Sequence, residues 1–449
     1  MKRDIILEDA TVGVFGLGET GLAVVDFLQA KNIPTLLFDD NPSDRAKKLV
    51  NNLGLDIHLP NSESDFSQLI ETMDIFMPTP GLPDNHWIYE YIRQFNIPTH
   101  SEFDLAAQFD DRPLLAITGT NGKTTVTMMV KEMLLASGIK TEAVGNTGIP
   151  LIRAIQDPSI EKFVVEASSF RLAHSSCFCP EVSIWLNFSP DHLDVHQNLK
   201  TYENAKASIW KNHTSRNVAI GNAEDEVVMS HIPKEGSVKT FGKDSGDNKV
   251  TDGFLTVNNQ KLIKVSKLQR ASRHDILNAL AAATVALDSG AEINAIKKVL
   301  AEFKGLPHRI AFIGQQEGVS WYNDSKSTTP HSVLAAVSGF ENVILLAGGR
   351  NKGLDLNVLT QVQEHVKHLV AIGEAADEIE KVFQEILPIS KANSMYEAIE
   401  IAFKCSGKGD VVLLSPGCTS FDWYGSYAER GEDFERIVQS LIGAEIDDN

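Results

Sequence analysis

Basic residues are scarce in this 449-residue chain, with 41 lysines and arginines against 60 aspartates and glutamates and a formal net charge of −19. Non-specific nucleic-acid binding needs Lys and Arg to neutralise phosphates, so a nucleic-acid partner is not expected. Cysteine is scarce too: Cys177, Cys179, Cys405 and Cys418 form one Cys-x-Cys pair and two isolated positions. That matches neither a zinc ribbon nor a secreted disulfide framework. No apolar run of about 18 residues occurs, and the opening Met-Lys-Arg-Asp-Ile-Ile-Leu-Glu-Asp puts acids where a signal peptide needs an apolar core. A cytosolic protein without membrane insertion is expected. Repeats and low-complexity tracts are also missing.

What is present is ordinary globular composition, 43% hydrophobic and 22% charged. The length exceeds what one core fills, since domains cluster near 100–150 residues, so two or three domains are expected. The segments read as 1–99, 100–305 and 306–449. The last begins after Gly305-Leu306-Pro307-His308-Arg309, a hinge-like composition.

The first segment has an apolar run from Thr11 to Phe15, then Gly16-Leu17-Gly18-Glu19-Thr20-Gly21, a helical pattern to Ala30, and a second run, Thr35 to Phe38, ending in Asp39-Asp40. Strand, glycine turn, helix, strand opens a doubly wound sheet, where glycines let backbone amides approach a pyrophosphate. Alone the G-x-G-x-x-G spacing is weak, because many strand-to-helix turns carry such glycines for structural reasons. A further strand-like stretch, Asp74 to Met77, ends at Pro78-Thr79-Pro80-Gly81, at a strand end where open sheets hold ligands.

The strongest signal lies in the second segment. The run from Leu114 to Ile117 leads into Thr118-Gly119-Thr120-Asn121-Gly122-Lys123-Thr124-Thr125 and a helix reaching about Ala136. A strand, a Gly-rich turn with Gly-Lys-Thr and a helix make a phosphate cradle: amides and the Lys123 ammonium face phosphates, and the Thr124 hydroxyl reaches magnesium. The loop is two residues shorter than the usual G-x-x-x-x-G-K-T form. Strand candidates at Glu142–Val144, Phe163–Glu166, Val182–Asn187 and Val218–Ile220 alternate with helices and predict a mainly parallel sheet. The third segment repeats this with strands expected at Val319–Tyr322, Val343–Ala347, Leu369–Ile372 and Val411–Leu414.

Two motifs end neighbouring strands of the second segment: Glu166-Ala167-Ser168-Ser169-Phe170 and Asn187-Phe188-Ser189-Pro190-Asp191-His192-Leu193-Asp194. Taken singly, Glu166 reads as a solvated acid and His192 as a loop histidine. His192 and His196 stand four apart, but Leu193 occupies the place where H-E-x-x-H needs glutamate, so a zincin is rejected. Lys206, in Tyr202-Glu203-Asn204-Ala205-Lys206 on an expected helix, reads unaided as a solvated side chain.

The shortened loop, Gly119 to Thr125, resembles that of the Mur ligases and the folylpolyglutamate synthetases, and the motifs above follow in the Mur ligase order over essentially the whole chain. The resemblance implies an α/β fold of three domains: N-terminal Rossmann-like, central ATP-binding parallel sheet of P-loop type, and C-terminal Rossmann-like. It implies an ATP-dependent acid–amino-acid ligase with ATP and Mg2+ as cofactors. Gly119, Thr120, Asn121, Gly122, Lys123, Thr124 and Thr125 would hold ATP together with Asn278, Arg309 and Asp324. Thr124, Glu166, His192 and Lys206 would be the metal set, with Lys206 carbamylated into an anion. Lys123, Glu166, His192 and Lys206 are the catalytic candidates, and closure of the third domain would exclude water. Without the resemblance, Asn278 is a polar helix-start residue, Arg309 a salt-bridge arginine and Asp324 a turn residue.

Substrate choice rests on the ends. Gly18, Glu19, Thr20, Asp39, Thr79 and Gly81 resemble the UDP-binding residues of the D-glutamate-adding branch. Asn146, in Gly145-Asn146-Thr147-Gly148, matches the loop near the muramoyl-alanine carboxyl group. Lys326, Thr328, Lys352, Ser420 and Tyr427 resemble its amino-acid pocket, with bare surface or turn roles as the alternative for each. The implied partners are UDP-N-acetylmuramoyl-L-alanine and D-glutamate, acting on a monomer. Three positions depart from the pattern: Asn41 replaces a basic residue, Arg171 a glutamine, and Trp423-Tyr424-Gly425 a segment that commonly carries Phe-Lys. An L-glutamate-adding variant and a folylpolyglutamate synthetase-like ligase stay open as alternatives, although the latter should lack the N-terminal glycine turn.

Overall fold

The computed structural model describes residues 7, 10–59, 66, 69–191, 195–351 and 353–443. They fall into two compact units, residues 1–303 and 304–449. Among the described residues no helix is long and apolar enough to cross a membrane.

The first unit opens with strands β1 (Val12–Phe15), β2 (Thr35–Phe38), β3 (Ile57–His58) and β4 (Ile75–Pro78), in the order β3-β2-β1-β4 and all parallel. Strands β1 and β4 are fully buried, which explains their unbroken apolar runs. The helix Glu19–Ala30 packs on the sheet through Leu22, Val24, Val25 and Leu28. The chain leaves β1 toward β2 on one side and β4 lies on the other. The ends of these strands therefore form the crevice where doubly wound sheets hold ligands.

A second parallel sheet follows: β5 (Leu114–Thr118), β6 (Thr141–Gly145), β7 (Lys162–Glu166), β8 (Val182–Trp185), β9 (Val218–Asn222) and β10 (Ser237–Phe241), in the order β10-β9-β8-β5-β7-β6. The order reverses across β5, so its carboxyl end is the switch point. A small antiparallel sheet, β11 (Lys249–Thr251), β12 (Phe254–Val257) and β13 (Gln260–Lys264), adjoins it. Apolar side chains of both larger sheets merge into one core that runs from Val12, Val24 and Leu28 through Phe103 and Leu151 to Trp185 and Trp210.

The second unit holds β14 (Ala311–Gln316), β15 (Val319–Asn323), β16 (Val343–Gly348), β17 (Val366–Ile372), β18 (Ile389–Ala392) and β19 (Val411–Gly417), in the order β14-β15-β19-β16-β17-β18. All pairs are parallel except the β14–β15 hairpin. Its core has two layers, one on each sheet face, as a doubly wound sheet requires. The expected α/β class and its parallel sheets are the observed fold. Sequence patterning missed β3, β10 to β14 and β18, which are short, partly exposed or on sheet edges and lack the long apolar runs of the central strands.

Candidate active site

The turn after β5 is shaped by glycine. Gly122 caps the helix Lys123–Ala136 with φ +84°, a left-handed backbone that a side chain would strain. A Cβ there would also meet the Asn278 side-chain oxygen at 2.5 Å. Asn278 reaches this spot because its helix, Arg273–Asp288, is rich in alanine and lies closely along Lys123–Ala136. The loop is clasped from the next strand end as well: the Asn121 amide donates to Asn187 Oδ1 at 2.9 Å, and Asn187 Nδ2 donates back to the Asn121 carbonyl at 3.1 Å. Thr120 Oγ1 lies 3.1 Å from the Tyr202 hydroxyl and accepts from the Ser189 amide. Thr124 and Thr125 occupy the first helical turn.

Two ammonium groups converge on this loop. Lys123 Nζ donates to the carbonyls of Gly119 at 2.8 Å and Thr120 at 2.9 Å. Lys206 Nζ donates to the same Gly119 carbonyl at 2.7 Å and lies over the Tyr202 ring. Far from being solvated, Lys206 is 1% exposed. Burial, with the Lys123 charge added, holds its amine well below the usual lysine range.

On the neighbouring strand Glu166 pairs with Ile117 of β5 and is 1% exposed. Its Oε1 accepts from Asn146 Nδ2 at 3.2 Å, and its carbonyl accepts from the Asn146 amide. Its Oε2 is buried with no hydrogen-bond partner among the described residues. A buried carboxylate oxygen left unpaired is costly, and a hard cation is the partner it suits, so the donor set fits magnesium. His192 lies outside the described residues. His196 is committed elsewhere: its Nδ1 meets Asp84 Oδ2 at 2.8 Å and its Nε2 meets Ser169 Oγ at 3.0 Å, tying the first sheet to the second.

At the first sheet's crevice, Gly18 caps the helix that carries Glu19 and Thr20. Asp39 receives the amide of Leu17 on one oxygen and that of Asn41 on the other, so Asn41 contributes through its backbone. Thr79 lies under Gly16, where a Cβ would meet Thr79 Oγ1 at 2.2 Å, and Gly81 follows in an exposed turn. The departure at Arg171 has a structural role that sequence reading missed. Its guanidinium donates to Glu102 Oε2 at 2.6 Å, Thr20 Oγ1 at 2.9 Å and the Gly145 carbonyl at 3.1 Å.

In the second unit Asp324 is buried at the end of β15. It accepts from Ser327 and Ser415 hydroxyls and the Ile310 amide, and burial pushes its carboxyl up to about 6 despite nearby Arg309. Lys326 Nζ lies 3.9 Å from the Tyr427 ring centroid. Ser420 is buried, and its carbonyl accepts from Trp423 and Tyr424 amides, which gives the departing 423–425 segment a turn-forming role. Thr328 precedes the helix Pro330–Val337. Lys352 lies outside the described residues.

His100, Asp104 and Cys177 also lie within metal-binding distance of one another. Asp104, however, spends its oxygens on the amides of Ser101, Ser176 and Cys177, and burial pushes the Cys177 thiol up to about 12. That cluster is a loop anchor.

A Gly-rich loop at a parallel-sheet switch point, two converging lysines and a buried carboxylate oxygen without a partner among the described residues define a nucleotide-using phosphoryl-transfer enzyme. Family models narrow the class: residues 117–286 match the Mur ligase middle domain and residues 308–418 the Mur ligase, glutamate ligase domain. The chain belongs to the Mur ligase family, whose members are ATP-dependent, amide-bond-forming ligases. Among its relatives are proteins named UDP-N-acetylmuramoylalanine--D-glutamate ligase from Legionella pneumophila, 33% identical over 95% of this chain and 98% of that one, and from Bdellovibrio bacteriovorus, 33% identical over 97% and 98%. Similar solved structures include UDP-N-acetylmuramate-alanine ligase from Thermotoga maritima (TM-score 0.56, 18% identity, 96% and 100% covered). Another is the MurF ligase of the same organism in complex with ADP (TM-score 0.57, 17% identity, 98% and 99% covered). They share the three-domain fold.

Proposed function

We propose that this chain joins D-glutamate to UDP-N-acetylmuramoyl-L-alanine with ATP and Mg2+, through an acyl phosphate. Support comes from the relatives that carry this activity in their names, at 33% identity over nearly the full chain. The observation that carries the chemistry is the pair of ammonium groups on one carbonyl of the Gly119 loop, with the unpartnered Glu166 oxygen at the end of the adjoining strand.

A carboxylate repels an incoming amine and has no good leaving group. Its oxygen therefore first attacks the terminal phosphorus of ATP, releasing ADP. The amine of the amino acid then attacks the acyl carbon, and the tetrahedral intermediate expels phosphate as the amine sheds its proton. Lys123 turns from the loop carbonyls to the transferring phosphoryl group, and the Gly119–Thr125 amides and hydroxyls hold the phosphates. Thr124, Glu166, His192 and the carbamate of Lys206 would hold magnesium, which would supply positive charge against the phosphate oxygens. Burial lowers the proton affinity of the Lys206 amine, which favours the neutral form that adds to carbon dioxide, and the carbamate forms with loss of one proton.

Asn278, Arg309 and Asp324 complete the ATP contacts. Gly18, Glu19, Thr20, Asp39, Thr79 and Gly81 bind the UDP moiety, and Asn146 the muramoyl-alanine end. Lys326, Thr328, Lys352, Ser420 and Tyr427 receive the amino acid. In this reading 1–99, 100–305 and 306–449 are the UDP-substrate, ATP and amino-acid domains of a monomeric cytoplasmic enzyme. The test is phosphate release from ATP with UDP-N-acetylmuramoyl-L-alanine and a panel of amino acids containing both glutamate enantiomers. Release dependent on D-glutamate alone is expected. Release with L-glutamate instead would reassign the acceptor, and release with neither would overturn the reading.

A further inference from the structure

Arg171 lies where family resemblance leads one to expect glutamine, and it joins three elements far apart in sequence. It is 7% exposed, on the short helix Ser169–Ala173. Its Nη1 is neutralised by Glu102, whose other oxygen accepts from the Ile152 amide at 2.8 Å. Its Nη2 bridges Thr20 Oγ1 in the first turn of Glu19–Ala30 and the carbonyl of Gly145. Its Nε is buried without a hydrogen-bond partner among the described residues.

The chemistry of the donors gives this bridge a direction. A guanidinium only donates, so the Thr20 hydroxyl must accept from it and keeps its own proton to give away. A side-chain amide, which both donates and accepts, would leave that polarity open. A phosphate oxygen only accepts, so a hydroxyl committed to donating suits a diphosphate over the glycine turn. The same Nη2 holds Gly145. The next residue, Asn146, bonds Glu166 through both its amide and its side chain.

We propose that Arg171 is a positioning residue for the nucleotide-sugar substrate, fixing the Thr20 hydroxyl as a donor to the diphosphate and anchoring the turn that orients Glu166. This rests on the reading that a UDP-linked substrate binds over the Gly16–Gly21 turn. The test compares wild type with Arg171→Met, Arg171→Gln, Thr20→Val, Thr20→Ser and the Arg171→Met/Thr20→Val pair. It measures the Kd for UDP-N-acetylmuramoyl-L-alanine by calorimetry without ATP or amino acid, the KM of each substrate, and Tm. Arg171→Met and Thr20→Val are each expected to weaken nucleotide-sugar binding about tenfold. The pair should be no worse than either single change, Thr20→Ser, which keeps the hydroxyl, should recover most of the binding that Thr20→Val loses, and the KM for D-glutamate should be unchanged. A lower Tm for Arg171→Met with nucleotide-sugar Kd and KM unaltered would make it a structural pin and overturn the inference, as would fully additive effects in the pair. A failure of the ligase reading is seen separately, as wild type that binds the nucleotide-sugar but releases no phosphate with D-glutamate.

Discussion

The central and C-terminal sheets each have six strands, all but one pair parallel, yet they treat charge in opposite ways. At the end of β5 two lysines crowd one carbonyl, and at the end of the adjoining β7 a carboxylate oxygen has no partner among the described residues. At the end of β15, Asp324 is saturated by two hydroxyls and an amide. Nearby Arg430, 2% exposed, donates to Ser325 and to the Cys418 carbonyl. Charge without a partner among the described residues marks the central site, and hydrogen-bonded charge marks loops held in a fixed shape in the second unit.

This contrast is open to attack by mutation. Lys123→Ala should lower turnover on the order of 10³-fold with Tm within a few degrees of wild type, because its loop carbonyls face the site and do not support a core. Near-normal turnover would put the chemistry elsewhere. Glu166→Gln keeps the shape and should cost about 10²-fold in rate while raising the magnesium concentration needed for half-maximal activity. Since it removes a buried, half-paired carboxylate, Tm should hold or rise, and a large fall in Tm would show that Glu166 supports the fold.

Lys206→Met should lose about 10- to 100-fold in rate and all dependence on added bicarbonate, whereas wild type should slow when carbon dioxide is removed. The folded-state pKa of Lys206 is depressed, so the unfolded chain binds the extra proton and the lysine destabilises the fold below its unfolded value. Lys206→Met should therefore melt above wild type at neutral pH, the gap closing as pH rises toward the ordinary lysine range.

The smallest effect belongs to the saturated site. Asp324 has a folded pKa raised from 3.8 to about 6, so its charged form weakens the fold above pH 6 and the penalty vanishes below about 4. By calorimetry, Asp324→Asn should gain at most on the order of 3 kcal/mol at pH 7.5, and nothing at pH 4. A gain independent of pH would mean that the carboxyl does not titrate there.

What the sequence made legible was local. The glycine turns, the Lys123 loop and the strands that carry them are written in consecutive residues, because turn geometry and strand burial act over a few positions. Lys206 was recognisable only through its motif, since a helical lysine carries no mark of burial. The Asn121–Asn187 clasp, the His196–Asp84 tie and the Arg171 bridge join positions 66, 112 and 151 residues apart. No periodicity reports them. Arg171 left one trace, a charged residue in a place where resemblance led one to expect an amide.

The apolar interior shared by the first two sheets limits how this enzyme can be divided. A fragment ending at residue 99 would turn part of the shared core around Val24 and Leu28 toward water, with the Leu151–Ala154 helix that packs on Glu19–Ala30 no longer there. Residues 1–99 should therefore aggregate when expressed alone, whereas a fragment that keeps both sheets, residues 1–303, should stay folded.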